Sequence, residues 1–242
     1  MIQFITGISA AIAHVLSGPD HLAAVTPLAI ESRKKSWGIG LAWGIGHTVG
    51  MLMIGVLFYF FRDFIAVDVI SEHSEQLVGV LLMGIGGWAI AKVFVKKEVG
   101  KHSHPHFHRV ESRGDFVHIH KHAHGEAHSH SEADAHSHSH PKSHEQNVRA
   151  ALGVGVFHGF AGVSHLIAVL PTLALPGKKD AALYLAGFGA GTLLAMVVFA
   201  SILGAISGKT SSLGRPKTYN MMRIGGGLVA IGIGIWWIVK SF

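Results

Sequence analysis

Asp20 is the only Asp, Glu, Lys or Arg well inside a long apolar run of this chain, and His14, His21, His47, His158 and His165 lie in such runs too. Ionisable groups at that depth in an apolar segment are costly and by default mark a functional site. Imidazole nitrogens with one carboxylate and no thiolate suit divalent Ni, Co, Zn or Cu, rather than oxygen-preferring Mg or Ca. The chain has no cysteine, which excludes disulfides, Cys-type zinc sites, iron–sulfur clusters and thiol nucleophiles. A lone histidine such as His47 has a plainer reading, a hydrogen bond to a neighbouring helix. Two pairs at matched spacing argue for more.

His14 and His21 are seven residues apart, as are His158 and His165. At 3.6 residues per turn each pair shares one helix face. In an intact helix their Cα atoms would stand about 10.5 Å apart, too far to hold one ion comfortably. Ser17-Gly18-Pro19 answers this in the first pair, because proline removes a helix hydrogen bond and restricts the residue before it. A break there shortens the gap, turns Asp20 inward and frees carbonyls toward a cavity. The fourth run has Gly159 and Gly162 but no proline, with Ser164 in the place of Asp20. The expected site is therefore asymmetric, its carboxylate supplied by the first half alone.

The elements that must position these groups are six apolar runs: Ile2–Ile30, Trp37–Phe61, Leu77–Ala91, Ala150–Leu175, Ala181–Ile206 and Ile224–Val239. A spanning helix needs about 20 such residues. The third and sixth runs are short, but Lys92, Lys96, Arg223 and Lys240 at their ends can snorkel outward. No basic residue precedes the first run, so it reads as a retained span rather than a cleaved leader. The first and fourth runs align at an offset of 144 residues with the shared pattern H-x3-G-x2-H-L-x-A-V-x-P, from His14 to Pro27 and from His158 to Pro171. Three spans per copy put the second copy into the membrane the other way up. The predicted fold is an all-α polytopic membrane protein, six transmembrane helices in a 3+3 inverted repeat, with residues 1–99 and 148–242 as its halves.

Composition fits once it is divided. Of 242 residues 49% are hydrophobic and 14% charged, against about 25% charged in ordinary soluble domains. The net charge of +6 resembles a nucleic-acid signature only until the basic residues are placed: 16 fall on one side of the predicted spans and 4 on the other. The positive-inside rule makes the first side cytoplasmic and puts both termini outside, in a cell (inner) membrane. No phosphate-binding loop, dinucleotide fingerprint or nucleophile elbow occurs, which leaves ATP-driven and hydrolase readings without residues, and no nucleic-acid partner or cofactor is expected.

Between the halves, residues 100–147 hold 14 of the 20 histidines: His102, His104, His106, His108, His118, His120, His122, His124, His128, His130, His136, His138, His140 and His144. Low apolar content predicts a disordered cytoplasmic loop. Its imidazoles are expected to bind metal weakly and in multiple places, as buffer or sensor; the bland alternative is a soluble linker.

The segment His14-Val-Leu-Ser-Gly-Pro-Asp20-His21-Leu-Ala-Ala-Val resembles the signature of the nickel/cobalt transporter family (NiCoT/NicO), especially its short urease-associated nickel permease branch. Well-known members have four residues between the histidine and Asp-His; here five intervene between His14 and Asp20. Gly46-His47-Thr48 and the run from His158 to His165 are similar to segments of the wider family. The resemblance implies transport of Ni2+ or Co2+ as substrate through a site built on His14, Asp20, His21 and His47, and cytoplasmic nickel acceptor proteins as partners. His158 and His165 join the set through the repeat.

Import and export both remain open on the sequence. An exporter for metal resistance, a membrane metal sensor and an intramembrane metalloenzyme are the rival readings. The last lacks an H-E-x-x-H motif or a second intramembrane acid to act as base, so a non-enzymatic role is expected.

Overall fold

The computed structural model describes residues 1–61, 67–94, 102–110, 114–122, 143–160 and 170–240. Its contacts divide the chain into a helical unit, Met1–Phe94 with Pro141–Phe242, and a second unit, Val95–His140.

The helical unit begins with α1 (Ile2–Ser17) and α2 (Pro19–Ser32), the two pieces into which the first apolar run divides. Gly18 between them is extended, at φ −94° and ψ 93°, and Pro19 opens α2 where its missing N–H costs nothing. The break falls where Gly-Pro demands it. A 3-10 turn at Arg33–Lys35 leads into α3 (Ser36–Phe61), followed by α4 (Val67–Phe94). After the second unit come α5 (Ser143–Phe160), a 3-10 turn at Leu170–Ala174, α6 (Lys178–Ser212) and α7 (Pro216–Lys240). The third and sixth runs, short by apolar content, thus lie in helices that extend well past their apolar ends. Of the fourth run, the described residues are those of α5 up to Phe160 and those from Leu170 onward, which begin with the 3-10 turn.

Four helical segments are long and apolar enough to cross a membrane: Pro19–Val56, Glu75–Phe94, Lys178–Ser212 and Pro216–Lys240; Ile2–Ser17 is apolar but shorter. On α6, Leu194, Val198, Ile202 and Ile206 recur every fourth residue and are all exposed. Such a stripe would be an aggregation site in water, but in a bilayer it faces its natural solvent. This is a helical membrane protein.

Three helix pairs dominate the packing: α3 on α5, α4 on α7, and α1 on α6. Glycines let their backbones meet. Gly7 of α1 abuts the Tyr184 carbonyl of α6, Gly187 of α6 abuts the Phe4 carbonyl of α1, and Gly86 and Gly227 bring α4 and α7 together. The core gathers Val15, Ala24, Leu28, Ile39, Trp43, Leu82, Ala151, Met196 and Ala230 from all seven helices around α2 and α3. At one end of α2, Glu31 accepts from Lys92 of α4 at 3.0 Å and from Arg223 of α7 at 3.2 Å.

In the second unit, two segments of the tract read from sequence as disordered form an antiparallel hairpin, β1 (His102–Val110) and β2 (Gly114–His122). The physical reason lies in the sequence itself. His-x-His alternation has the period of a strand, and Phe107, Val110, Phe116, Val117 and Ile119 favour extended backbone. The register sets His102 opposite His122, His104 opposite His120 and His106 opposite His118.

Candidate metal centre

The break at Gly18 is what brings the first histidine pair together. With α1 ended, the Nε2 atoms of His14 and His21 are 3.1 Å apart, and the rings meet edge to face with centroids 4.7 Å apart. Asp20 and His21 lie in the first turn of α2, and His21 Nδ1 stands 3.0 Å from Asp20 Oδ1. The other carboxylate oxygen, Oδ2, is 3.1 Å from His158 Nε2 on α5. One carboxylate therefore links a helix of the first half to one of the second. Asp20 and His21 are 6% and 2% exposed, and His47 and His158 are fully buried.

His47 and His158 reach this point because α3 and α5 approach closely. Gly155 and Gly159, one on each side of His158, rest on the backbone of Trp43 and of His47 respectively. A side chain at either position would drive the helices apart and withdraw both histidines. Ring centroids of His47 lie 5.1 Å from His21, 5.7 Å from His158 and 6.3 Å from His14.

Two donor groups result, His14 with His21 and His47, and Asp20 with His21 and His158; within each, donor atoms all lie within 4.8 Å of one another. That spacing is within reach of closure around a transition metal with bonds of about 2.0–2.2 Å. The candidate residues His14, Asp20, His21, His47 and His158 are thus brought together. His165 and Ser164 lie outside the described residues, as do His124, His128, His130, His136, His138 and His140. His102, His104, His106, His108, His118, His120 and His122 fall on the hairpin, and His144 sits at the start of α5, away from the donor cluster. Burial, and then the nearby Lys35 ammonium, hold the His144 imidazole below its ordinary value, partly offset by Glu145.

Trp43 is the participant that sequence reasoning missed. Its fully buried ring stacks on His47 at 4.8 Å and 10° between planes, and lies 5.5 Å from His21 and 5.4 Å from His158. It closes one side of the cluster and limits how His47 can turn. Its one sequence signal is its place four residues before His47, one turn away on the same face.

Fold and site together define a helical membrane protein with a buried histidine–carboxylate cluster whose donor atoms could close on a metal ion. Over 190 residues the chain is 30% identical to urease accessory protein UreH of Bacillus sp. (strain TB-90), covering 77% of this chain and 69% of that one. The chain belongs to the UreH family. It is also 32% identical over 244 residues to Chloroplast protein FOR GROWTH AND FERTILITY 2 of Arabidopsis thaliana, and 31% identical over 238 residues to Chloroplast protein FOR GROWTH AND FERTILITY 1 of the same plant. Both matches cover 98% of this chain but only 56% and 59% of the plant proteins, so the chain spans little more than half their length. No family model matches the chain, and no solved structure matches it.

Proposed function

We propose that this chain is a transporter carrying Ni2+, and Co2+ as a secondary substrate, across the membrane through the cluster of His14, Asp20, His21, His47 and His158. The observation that carries the reading is the convergence of these five side chains, from both halves, at a break in a membrane helix. Kinship with a urease accessory protein, and the likeness of the His14–His21 segment to nickel/cobalt transporters, favour nickel among the divalent metals. His165 is proposed as a further ligand through its repeat position.

The 3+3 inverted repeat is part of this proposal. Exchanging the halves turns the α1–α6 pairing into the α3–α5 pairing and returns α4–α7 to itself, and all three pairings occur. The chain then spans the membrane six times, with both termini outside and the histidine tract in the cytoplasm as a low-affinity metal buffer that hands nickel to acceptor proteins. An inside-negative potential of 100 mV favours entry of a divalent cation by about 4.6 kcal/mol, twice the single-charge figure. Import needs no ATP on this account.

The test is radioactive nickel flux into proteoliposomes with a potassium-diffusion potential. Uptake that rises with an inside-negative potential supports the reading. Flux no greater than in protein-free vesicles overturns it, and lower nickel accumulation in cells making the protein would reverse the direction to export.

A further inference from the structure

His21 belongs to both donor groups, and it faces them with different atoms. Its Nε2 is 3.1 Å from His14 Nε2, while its Nδ1 is 3.0 Å from Asp20 Oδ1. The two nitrogens of an imidazole point to different sides of the ring. An ion bonded at Nε2 therefore occupies a different position from one bonded at Nδ1. The groups also differ in charge and access. His14, His21 and His47 offer three nitrogens, and His14 is only half-buried. Asp20, His21 and His158 offer a carboxylate oxygen and two nitrogens, all buried.

We propose that the cluster is two successive stations rather than one site: a cation is first held by the three nitrogens of His14, His21 and His47, then crosses the His21 ring to Asp20, His21 and His158. This rests on the transporter reading above. In the step between stations the ion releases His14, His47 and His21 Nε2, and gains Asp20, His158 and His21 Nδ1. Neutral His21 carries its one proton on the nitrogen away from the ion, Nδ1 facing Asp20 at the first station and Nε2 facing His14 at the second; between stations Nδ1 gives one proton to solvent water and Nε2 takes one from it. Because both stations need His21, they hold one ion at a time. The deeper station carries the full negative charge, which draws the ion inward from the partly exposed one. His47 stays in place throughout, held by its stack on Trp43.

The experiment uses the full-length chain in lipid nanodiscs with Co2+ as probe, read by d–d absorption and by metal-edge X-ray spectroscopy. His21→Ala removes both stations but keeps the histidine tract, and serves as the background to subtract. Wild type should bind one Co2+ per chain above that background. Asp20→Asn should still bind one, now with an all-nitrogen shell, while nickel flux in proteoliposomes falls about 100-fold. His14→Ala should still bind one, with a mixed oxygen and nitrogen shell. Loss of the bound ion in both Asp20→Asn and His14→Ala, in protein that stays monodisperse with native helical circular dichroism, would mean one composite site and overturn the inference. So would identical spectra in the two variants. If the spectra separate as expected but wild-type vesicles carry no nickel, the transporter reading fails and the two stations stand. Nickel flux with a single composite signature would sink the stations alone.

Discussion

The two halves of the chain share a motif and use it differently. In the first half, Gly18 and Pro19 end one helix and start another, so His14 and His21 fold toward each other and Asp20 turns into the site. In the second half, α5 runs unbroken through His158 to Phe160, and two glycines press that histidine against α3. His14 and His158 thus stand at matching places near the ends of α1 and α5, and are brought to the site by different means, a helix break for the first and a glycine-seated helix pair for the second. A duplicated histidine pattern reports a shared position; the side chain beside it, Asp20 in the first copy and Ser164 in the second, sets the charge that copy can offer.

The sharpest way to break that comparison is to neutralise the carboxylate and its counterpart in turn. Asp20→Asn should lower nickel flux about 100-fold in proteoliposomes, while Ser164→Ala changes it little. Equal losses would mean that the halves contribute alike. Next comes the hinge. A methyl at Gly18 would collide with the His21 ring and the Asp20 carboxylate, so Gly18→Ala should cut flux roughly tenfold, and the counterpart Gly162→Ala should do less. Replacing Trp43 sharpens the picture of how the halves meet. Trp43→Ala should weaken Co2+ binding by up to about tenfold, the worth of one aromatic stack, and Trp43→Phe should restore most of it.

Smaller effects are expected at the rim. Glu31 is gripped by Lys92 from the first half and Arg223 from the second, and both contacts are partly solvated. Glu31→Gln should therefore cost about 1 kcal/mol or less in thermal stability, measured in detergent. The smallest concerns His144. Its protonation is disfavoured in the folded chain, so the folded state is favoured above the unfolded imidazole's pKa of about 6.5 and loses that advantage as pH falls through it. A Tm series from pH 7.5 to 5.5 should show a slightly shallower decline in His144→Gln.

Much of the site was legible because its signals are local. Proline chemistry placed the break; the spacing of seven residues marked His14 and His21 as a pair, which meet across that break from α1 and α2 rather than along one helix face. The apolar periods gave the helices, though α4 and α7 extend beyond their apolar runs into polar turns. What the sequence hid depends on distant pairing. Trp43 sits among apolar neighbours as any core aromatic does, and only the seating of α5 on α3 brings it against three histidines. The Glu31 contacts join residues far apart in the chain. The hairpin was missed for another reason: low hydrophobicity argued for disorder, while the alternating period of the same residues argued for strands.

The hinge at Gly18 has an electrostatic consequence of its own. A helix carries a partial positive charge at its amide end and a partial negative charge at its carbonyl end. Cutting one helix in two creates an extra end of each kind inside the protein. His14 lies in the last turn of α1, the carbonyl end, and Asp20 in the first turn of α2, the amide end. The amide end alone would invite anions and repel a metal ion. With Asp20 seated there, its full negative charge outweighs the partial positive one, while the α1 carbonyls add to the pull on a cation. The charges gathered at the break between the two helices therefore favour a cation over an anion there.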